Sequence, residues 1–197
     1  MADLGRDQDG TPALYERIES ARSWPEVVAQ WRGCQRSVDT HRAAIIAWFR
    51  RAGADAALAD ALYRRLVIPD GWAPYRDAGA VLTALRSRNV PVAVVSNVGW
   101  DIRPTFAAHG FADLVDTFVL SCEQGAEKPD VALFRAACDR LGVAAEDVLM
   151  VGDDPVNDGA AVRVGARVYV LPDRPRGTCR GLARVLDLLP ESEESCC

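Results

Sequence analysis

The chain has 197 residues, 49% hydrophobic and 26% charged, which is enough apolar material for one domain with an insertion. Its net charge of −5 argues against a nucleic-acid partner, because no broad basic field would attract a phosphate backbone. No apolar stretch approaches the roughly 18 residues that span a bilayer, and the N-terminus lacks the apolar region of a signal peptide. We therefore expect a cytoplasmic protein with no membrane partner.

The first half of the chain predicts helices. Residues 12–36 and 40–67 are rich in Ala, Leu, Arg and Glu and lack the alternation of a strand. The segment Asp70 to Pro74 then marks a boundary, because its glycine and proline interrupt regular structure. We predict an irregular N-terminus at 1–11 and a helical region at 12–74.

The second half has a different rhythm, in which short apolar runs alternate with helical patterns. Four runs predict strands, at 92–95, 117–120, 148–151 and 167–171. Helical patterns lie before, between and after them, at 78–89, 102–110, 131–141, 155–164 and 182–189. This alternation predicts an α/β fold with a doubly wound, mostly parallel sheet. The predicted core spans 75–190, and an acidic tail follows at 191–197.

The most informative segment runs from Met150 to Asp158. Its apolar run stops at Gly152, which permits a tight turn, and three carboxylates follow: Asp153, Asp154 and Asp158. Carboxylates at the carboxyl end of a strand lie where open α/β sheets bind ligands. Acids this close repel one another unless a cation or a proton intervenes. The ordinary alternative is a strand-to-helix turn with an Asp N-cap.

Two further segments follow a predicted strand or begin a predicted helix. Ser96-Asn97 follows the run 92–95, and Lys128 precedes the helix that begins near Val131. In a parallel sheet such ends meet at one edge, so these segments and the acidic turn are expected to converge. A hydroxyl, a lysine and carboxylates that hold Mg²⁺ together predict phosphate handling. Alone, Ser96-Asn97 would be a turn and Lys128 a solvated surface lysine.

In this order, the three segments resemble motifs of the haloacid dehalogenase (HAD) superfamily of hydrolases. Val94–Asn97 resembles its second motif, Glu127–Asp130 its third and Val151–Asp158 its fourth. The resemblance is best over roughly residues 40–171. It implies a Rossmann-like core with a helical cap of the first type at 12–74. It also implies Mg²⁺-dependent hydrolysis of a small phosphorylated metabolite through an aspartyl-phosphate.

The resemblance also assigns residue roles. Ser96, with Asn97 beside it, would bind the phosphoryl group, and Lys128 would stabilise its charge and that of the nucleophile. Asp153 would be a Mg²⁺ ligand. The neighbouring carboxylates that would complete or orient the metal site are Asp154 and Asp158.

The first motif of the superfamily, Asp-x-Asp-x-Thr, is matched in letters by Asp7-Gln8-Asp9-Gly10-Thr11. Asp7 would then be the nucleophile and Asp9 the general acid/base. The preceding residues include Asp3 and Arg6, whereas a central parallel strand should be continuous and apolar. In this fold that strand lies mid-sheet, and its loss would leave the backbone groups of both neighbours without partners. Two explanations stay open: a working motif on a degraded strand, or a chance match with the motif upstream.

Several alternatives follow. Without its first motif, the chain would be a truncated or non-catalytic relative that binds a ligand or a partner. Carbon–halogen hydrolysis is less favoured, because paired carboxylates suit a metal and that chemistry needs none. Substrate identity is not readable, and a homodimer stays open. Two isolated histidines, His41 and His109, are expected to be structural, and Trp72 and Trp100 are expected to pack.

Overall fold

A computed structural model describes residues 11–172, 174 and 178–189. Within this part, the chain forms two compact units. The first, here called the helical unit, contains residues 11–72 with the segments 97–105 and 120–127. The second, here called the α/β unit, contains the segments 73–96, 106–119 and 128–189.

The helical unit is built on four helices in its first 57 described residues, where the sequence pattern predicts two long helical stretches. They are α1 (Thr11–Ala21), α2 (Pro25–Trp31), α3 (Val38–Arg51) and α4 (Ala56–Val67), with 3₁₀ turns at Cys34–Arg36 and Pro69–Gly71. Side-chain caps begin the two longest. Ser37 Oγ accepts from Thr40 N at 3.2 Å ahead of α3, and Asp55 Oδ1 accepts from Leu58 N at 2.8 Å ahead of α4.

The core of the helical unit is apolar and aromatic. Ile18, Val27, Ile45, Phe49 and the indole of Trp48 are buried together. Trp48 Nε1 donates to the carbonyl oxygen of Ile18 at 3.0 Å, which satisfies the one polar atom of that indole. This packing joins α1, α2 and α3 into one hydrophobic cluster.

The α/β unit contains the strands and helices that the second half of the sequence predicts. The strands are β1 (Ala93–Ser96), β2 (Thr117–Leu120), β3 (Leu149–Gly152) and β4 (Arg167–Val170). Along the chain follow α5 (Ala78–Ser87), α6 (Arg103–Ala108), α7 (Ser121–Gln124) and α8 (Val131–Leu141). Helix α6 is divided between the two units, and the short α7, which the sequence does not predict, belongs to the helical unit. The α/β fold class with a Rossmann-like core is confirmed.

The described strands pair in two sets, β1 with β2 and β3 with β4. Strands β3 and β4 are parallel, with Leu149 opposite Arg167 and Gly152 opposite Val170. Every residue of β1 and β3 is only partly buried. The first central strand that the resemblance implies would come from residues ahead of Asp7, which lie outside the described residues.

The element boundaries differ from the predicted ones where side chains compete for the backbone. The helix predicted over 155–164 is a turn followed by a 3₁₀ helix at Gly159–Val164, and the one over 182–189 is a 3₁₀ helix at Leu182–Asp187. Asp154 accepts N–H bonds from the first residues of the former segment, which holds them in a turn. Among the described helices, none is long and apolar enough to cross a membrane.

Candidate active site

The carboxylate of Asp158 organises the turn after β3. Its Oδ2 accepts the backbone N–H groups of Asp153 and Asp154, each at 3.0 Å. Asp158 is buried, with 3% of its surface exposed. A methyl group on Gly152 would overlap this carboxylate, so the glycine is required for the close approach rather than for a left-handed backbone. The turn that follows the strand is therefore built around one buried negative charge.

Lys128 supplies the positive charge that this carboxylate needs. Its Nζ donates to Asp158 Oδ1 at 2.6 Å and to the carbonyl oxygen of Val95 at 3.0 Å. The two side chains are 11% and 4% exposed, so the pair is largely withdrawn from water. Lys128 thus joins the turn after β3 to the last residues of β1, next to Ser96. It is not the solvated surface lysine of the ordinary interpretation.

Asp154 is committed to its own turn. Its Oδ1 accepts from Val156 N at 2.8 Å and from Asn157 N at 2.9 Å, and its Oδ2 accepts from Asn157 Nδ2 at 2.6 Å. The backbone N–H of Asn157 is the main reason that the pKa of Asp154 lies below its usual value. Both oxygens of Asp154 therefore accept hydrogen bonds from its own turn, which holds the shape of the loop.

Asp153 is the most exposed of the three acids. Its side chain is 63% exposed, and its Oδ2 accepts from Arg180 Nη2 at 2.9 Å. Its Oδ1 has no hydrogen-bond partner in the part of the chain that the structure describes. Mg²⁺ prefers oxygen ligands and is often held by one or two carboxylates together with waters and substrate phosphate. Asp153 fits that requirement.

The described residues contain no cluster of three or more His, Cys, Asp or Glu side chains arranged to hold a metal. The carboxylate oxygens of Asp154 and Asp158 are taken up by N–H groups and by Lys128, so these two acids support the turn that carries Asp153. A metal site here would therefore have Asp153 as its ligand from this turn. The other two acids would hold that ligand in place.

The remaining predicted site residues have different outcomes. Ser96 is the last residue of β1 and is partly buried, and Asn97 follows it. Lys128 Nζ donates to the carbonyl oxygen of Val95, one residue before Ser96. The segment that contains Lys128 therefore contacts the strand that ends at Ser96. Asp7 and Asp9 lie outside the described residues.

Sequence reasoning missed Arg180. It follows β4 in a segment that contains several arginines, and nothing in the local pattern distinguishes it from its neighbours. The structure buries it, with 5% of its surface exposed, and pairs it with Asp153 across 27 positions of the chain.

The model of the haloacid dehalogenase-like hydrolase family matches residues 4–165. This range begins three residues before Asp7 and includes all four of the motif-like segments.

Curated relatives are similar over parts of the chain. A haloacid dehalogenase-like hydrolase domain-containing protein 3 of Danio rerio is 30% identical over 68% of this chain and 54% of its own length. A phosphoserine phosphatase of Thermus thermophilus is 36% identical over 51% of this chain and 41% of its own. A phosphoglycolate phosphatase of Rhodospirillum rubrum is 35% identical over 51% and 42%. The chain spans about half the length of these relatives.

Solved structures share the fold at low identity. A HAD phosphatase from Thermococcus onnurineus has a TM-score of 0.64 at 21% identity, and covers 88% of this chain and 78% of that one. A 2-haloacid dehalogenase from Pseudomonas syringae has a TM-score of 0.58 at 23% identity, and covers 90% and 84%. The two structures are named for different reactions, a phosphatase and a dehalogenase, on one fold. The structural likeness therefore supports the architecture, and the reaction has to be argued from the residues of the site.

Proposed function

Because the chain belongs to the haloacid dehalogenase-like hydrolases, we propose that it is a Mg²⁺-dependent phosphatase acting on a small phosphorylated metabolite. One observation carries the proposal: the buried Lys128–Asp158 pair joins the ends of β1 and β3 beside the exposed carboxylate of Asp153. A fixed ammonium group, a hydroxyl and a carboxylate at the ends of β1 and β3 suit a phosphate monoester and its metal ion.

Lys128 and Ser96 form the phosphate-binding part of this proposal. Asp158 and the carbonyl of Val95 hold the ammonium group in place, so it need not be ordered when the substrate arrives. The Ser96 hydroxyl and the backbone N–H groups of the following turn would donate to phosphoryl oxygens. Because Asp158 already balances much of the lysine charge, Lys128 contributes mainly through its fixed position.

Asp153 forms the metal-binding part. One of its oxygens accepts from Arg180, and the other has no donor within the described residues and would bind the cation. When bound, Mg²⁺ would offset the negative charge of the phosphoryl oxygens. Asp158 accepts the backbone N–H groups of Asp153 and Asp154, which fixes the start of the turn that carries Asp153.

The chemical step assigned to the first motif follows from its two acids. A carboxylate oxygen of Asp7 would attack phosphorus, and the ester P–O bond would break as Asp9 protonates the departing alkoxide. Water would then attack the aspartyl-phosphate, with Asp9 taking its proton, to release inorganic phosphate and restore Asp7. The family match supports this assignment, because it includes Asp7 and Asp9.

The names of two relatives support the substrate class. One is named a phosphoserine phosphatase and the other a phosphoglycolate phosphatase. Both names describe phosphate monoesters of small metabolites. The class proposed here is accordingly a small phosphate monoester, without choosing one compound.

The test is phosphate release from a panel of small phosphate monoesters, with Mg²⁺ and with EDTA. We expect turnover that EDTA abolishes, and a loss of at least about 100-fold in kcat/KM in Asp153→Asn. Asp7→Asn should abolish turnover. Asp139→Asn, an exposed acid on α8, is the matched control and should retain it.

Other outcomes would replace the proposal. A folded protein with no turnover on the panel would favour the non-catalytic alternative, in which the strand-end site binds a ligand or a partner. Chloride release from 2-haloacids that EDTA does not affect would favour a dehalogenase. Mg²⁺-dependent turnover that survives in Asp7→Asn would leave the metal site standing and move the nucleophile elsewhere.

A further inference from the structure

Arg180 is a buried cation in contact with a carboxylate of the proposed metal site. Its side chain is 6% exposed, whereas the carboxylate of Asp153 that it contacts is 63% exposed. The Nη2 of Arg180 donates to Asp153 Oδ2 at 2.9 Å, and no donor among the described residues engages Oδ1. The arginine therefore approaches Asp153 from the protein interior, while the other face of the carboxylate meets solvent.

Arg180 is itself held by a neighbouring tyrosine. Its Nη1 donates to the hydroxyl of Tyr75, and its guanidinium carbon lies 4.8 Å from the centre of the Tyr75 ring. A planar guanidinium held at one nitrogen and stacked on a ring has a defined direction for its other nitrogen. The geometry of the Asp153 contact is thus imposed by Tyr75.

The backbone that carries Arg180 is fixed as well. Asp77 Oδ1 accepts from Arg180 N at 3.0 Å, and its Oδ2 accepts from Gly181 N at 2.8 Å and Leu182 N at 2.9 Å. One carboxylate therefore clamps three successive N–H groups. Both the main chain and the side chain of Arg180 are set before any ligand binds.

Stability alone does not account for this arrangement. The Nε of Arg180 is buried and has no acceptor within the described residues. An unsatisfied buried donor is unfavourable, and a buried ion pair is often no more stable than apolar groups of similar size. The feature that distinguishes Arg180 is its contact with Asp153.

We propose that Arg180 is a positioning residue that orients Asp153 as a monodentate ligand for Mg²⁺; this rests on the proposed metal site. By engaging Oδ2, Arg180 restricts rotation of the carboxylate and directs Oδ1 to the cation. It acts through Asp153 and contacts neither metal nor substrate.

The charge of Arg180 has the opposite effect, because a cation close to the site repels Mg²⁺. Geometry and charge can be separated by substitution. Arg180→Lys keeps the charge and loses the planar fork, whereas Arg180→Met loses both. If orientation dominates, Lys should bind Mg²⁺ more weakly than the wild-type protein, and Met should be less impaired than Lys because the repulsion is relieved.

The experiment measures Mg²⁺ affinity by titration calorimetry, and Mn²⁺ affinity by electron paramagnetic resonance, on the full chain without substrate. We expect Arg180→Lys to bind about 10-fold more weakly. Arg86→Lys, which alters an exposed pair with Asp116 in the same unit, should bind like the wild-type protein. Thermal unfolding is measured in parallel, because a purely structural arginine would lower Tm and leave the affinity unchanged.

Tyr75→Phe is a second variant that tests the proposal if the arginine variants do not fold. It keeps Arg180 and Asp153 and removes the hydroxyl acceptor at Nη1, so a smaller loss of Mg²⁺ affinity, about threefold, is expected. Unchanged affinity in folded Arg180→Lys, or in Tyr75→Phe if the former does not fold, would overturn the proposal. Tighter binding in Arg180→Met with unchanged binding in Arg180→Lys would also overturn it, because charge alone would then explain the effect.

Asp153→Asn distinguishes this inference from the proposed function. If the wild-type protein binds Mg²⁺, Asp153→Asn does not and Arg180→Lys binds normally, the positioning role fails and the metal site stands. If the wild-type protein does not bind Mg²⁺, or if Asp153→Asn binds it equally well, the proposed metal site fails and the role of Arg180 falls with it.

Discussion

The helical unit and the α/β unit differ in the charge of the polar side chains that they bury. Within the described residues, four polar or charged residues are buried, two in each unit: His41, Ser121, Asp158 and Arg180. Those of the helical unit are neutral, whereas those of the α/β unit are charged. Buried charge is costly unless it is paired, so the α/β unit depends on specific ion pairs in a way that the helical unit does not.

The neutral pair is satisfied by short contacts. His41 Nδ1 lies 3.2 Å from the hydroxyl of Tyr63, and burial lowers the pKa of His41 to about 4. Ser121 Oγ accepts from the N–H of Val98, and its single proton faces the carbonyl oxygens of Gln35 at 2.7 Å and Val98 at 3.0 Å. The Ser121 contacts hold the segments 97–105 and 120–127 within the helical unit through neutral groups.

The largest expected effect comes from breaking the buried ion pair. Asp158→Ala removes the buried carboxylate that Lys128 contacts and the acceptor of the turn after β3, so the free energy of unfolding should fall by about 3–5 kcal/mol. The measurement is urea unfolding at pH 7. The contrasting control is Asp60→Ala in the helical unit, which breaks exposed pairs with Arg42 and Arg64 and should cost less than about 1 kcal/mol. Equal losses in the two variants would remove the distinction between the units.

The second effect is a pH dependence that belongs to the helical unit. The pKa of His41 is lowered from 6.5 to about 4 by burial, so the unfolded chain takes up a proton between these values that the folded chain does not. Stability should therefore decrease as pH falls from about 6.5 to 4, by about 2–3 kcal/mol from this group. Unfolding curves of the wild-type protein and His41→Gln should show a shallower decline for the variant.

The pKa values of Asp154 and Asp77 are also lowered. For Asp154 the main cause is the N–H of Asn157, and for Asp77 the N–H bonds from Arg180 to Leu182 outweigh the opposing effect of burial. Their contribution is lost at still lower pH, below the usual aspartate value of 3.8. A slope in His41→Gln as steep as in the wild-type protein would contradict the assignment.

The smallest expected effect comes from substituting two glycines, each of which lies against a buried side chain. A methyl group at Gly99 would overlap the ring of His41, and one at Gly152 would overlap the carboxylate of Asp158. Each Gly→Ala change should cost about 1–3 kcal/mol of stability. Gly159→Ala, where nothing lies within 4 Å of the added atom, is the control for both.

The two glycine variants should differ in their rates of phosphate release. Gly152→Ala displaces a carboxylate that holds Lys128, so it should lower phosphate release beyond what lost stability explains. Gly99→Ala displaces a neutral ring in the helical unit. Parallel assays of stability and turnover on the two purified variants give the comparison. Equal losses of turnover at matched stability would argue against a special role for the charged turn.

Much of the fold and part of the site could be predicted from local pattern. Apolar runs located all four strands to within one residue, and β2 was predicted at its observed limits. Asp130 caps α8 through the N–H of Ala132, and Cys138 is buried on the apolar face of that helix. These features depend on neighbours within a few positions, which the sequence displays directly.

By itself, the sequence determined the order of the motif-like segments and their position at strand ends, because strand propensity, glycine turns and caps are local. Only the tertiary structure decided how the three acids differ: Asp158 meets Lys128 across 30 positions, Asp153 meets Arg180 across 27, and Asp154 serves its own turn. Partners this far apart in the chain are chosen by packing and burial, and no pattern along the sequence encodes which arginine is buried or which carboxylate stays open to solvent.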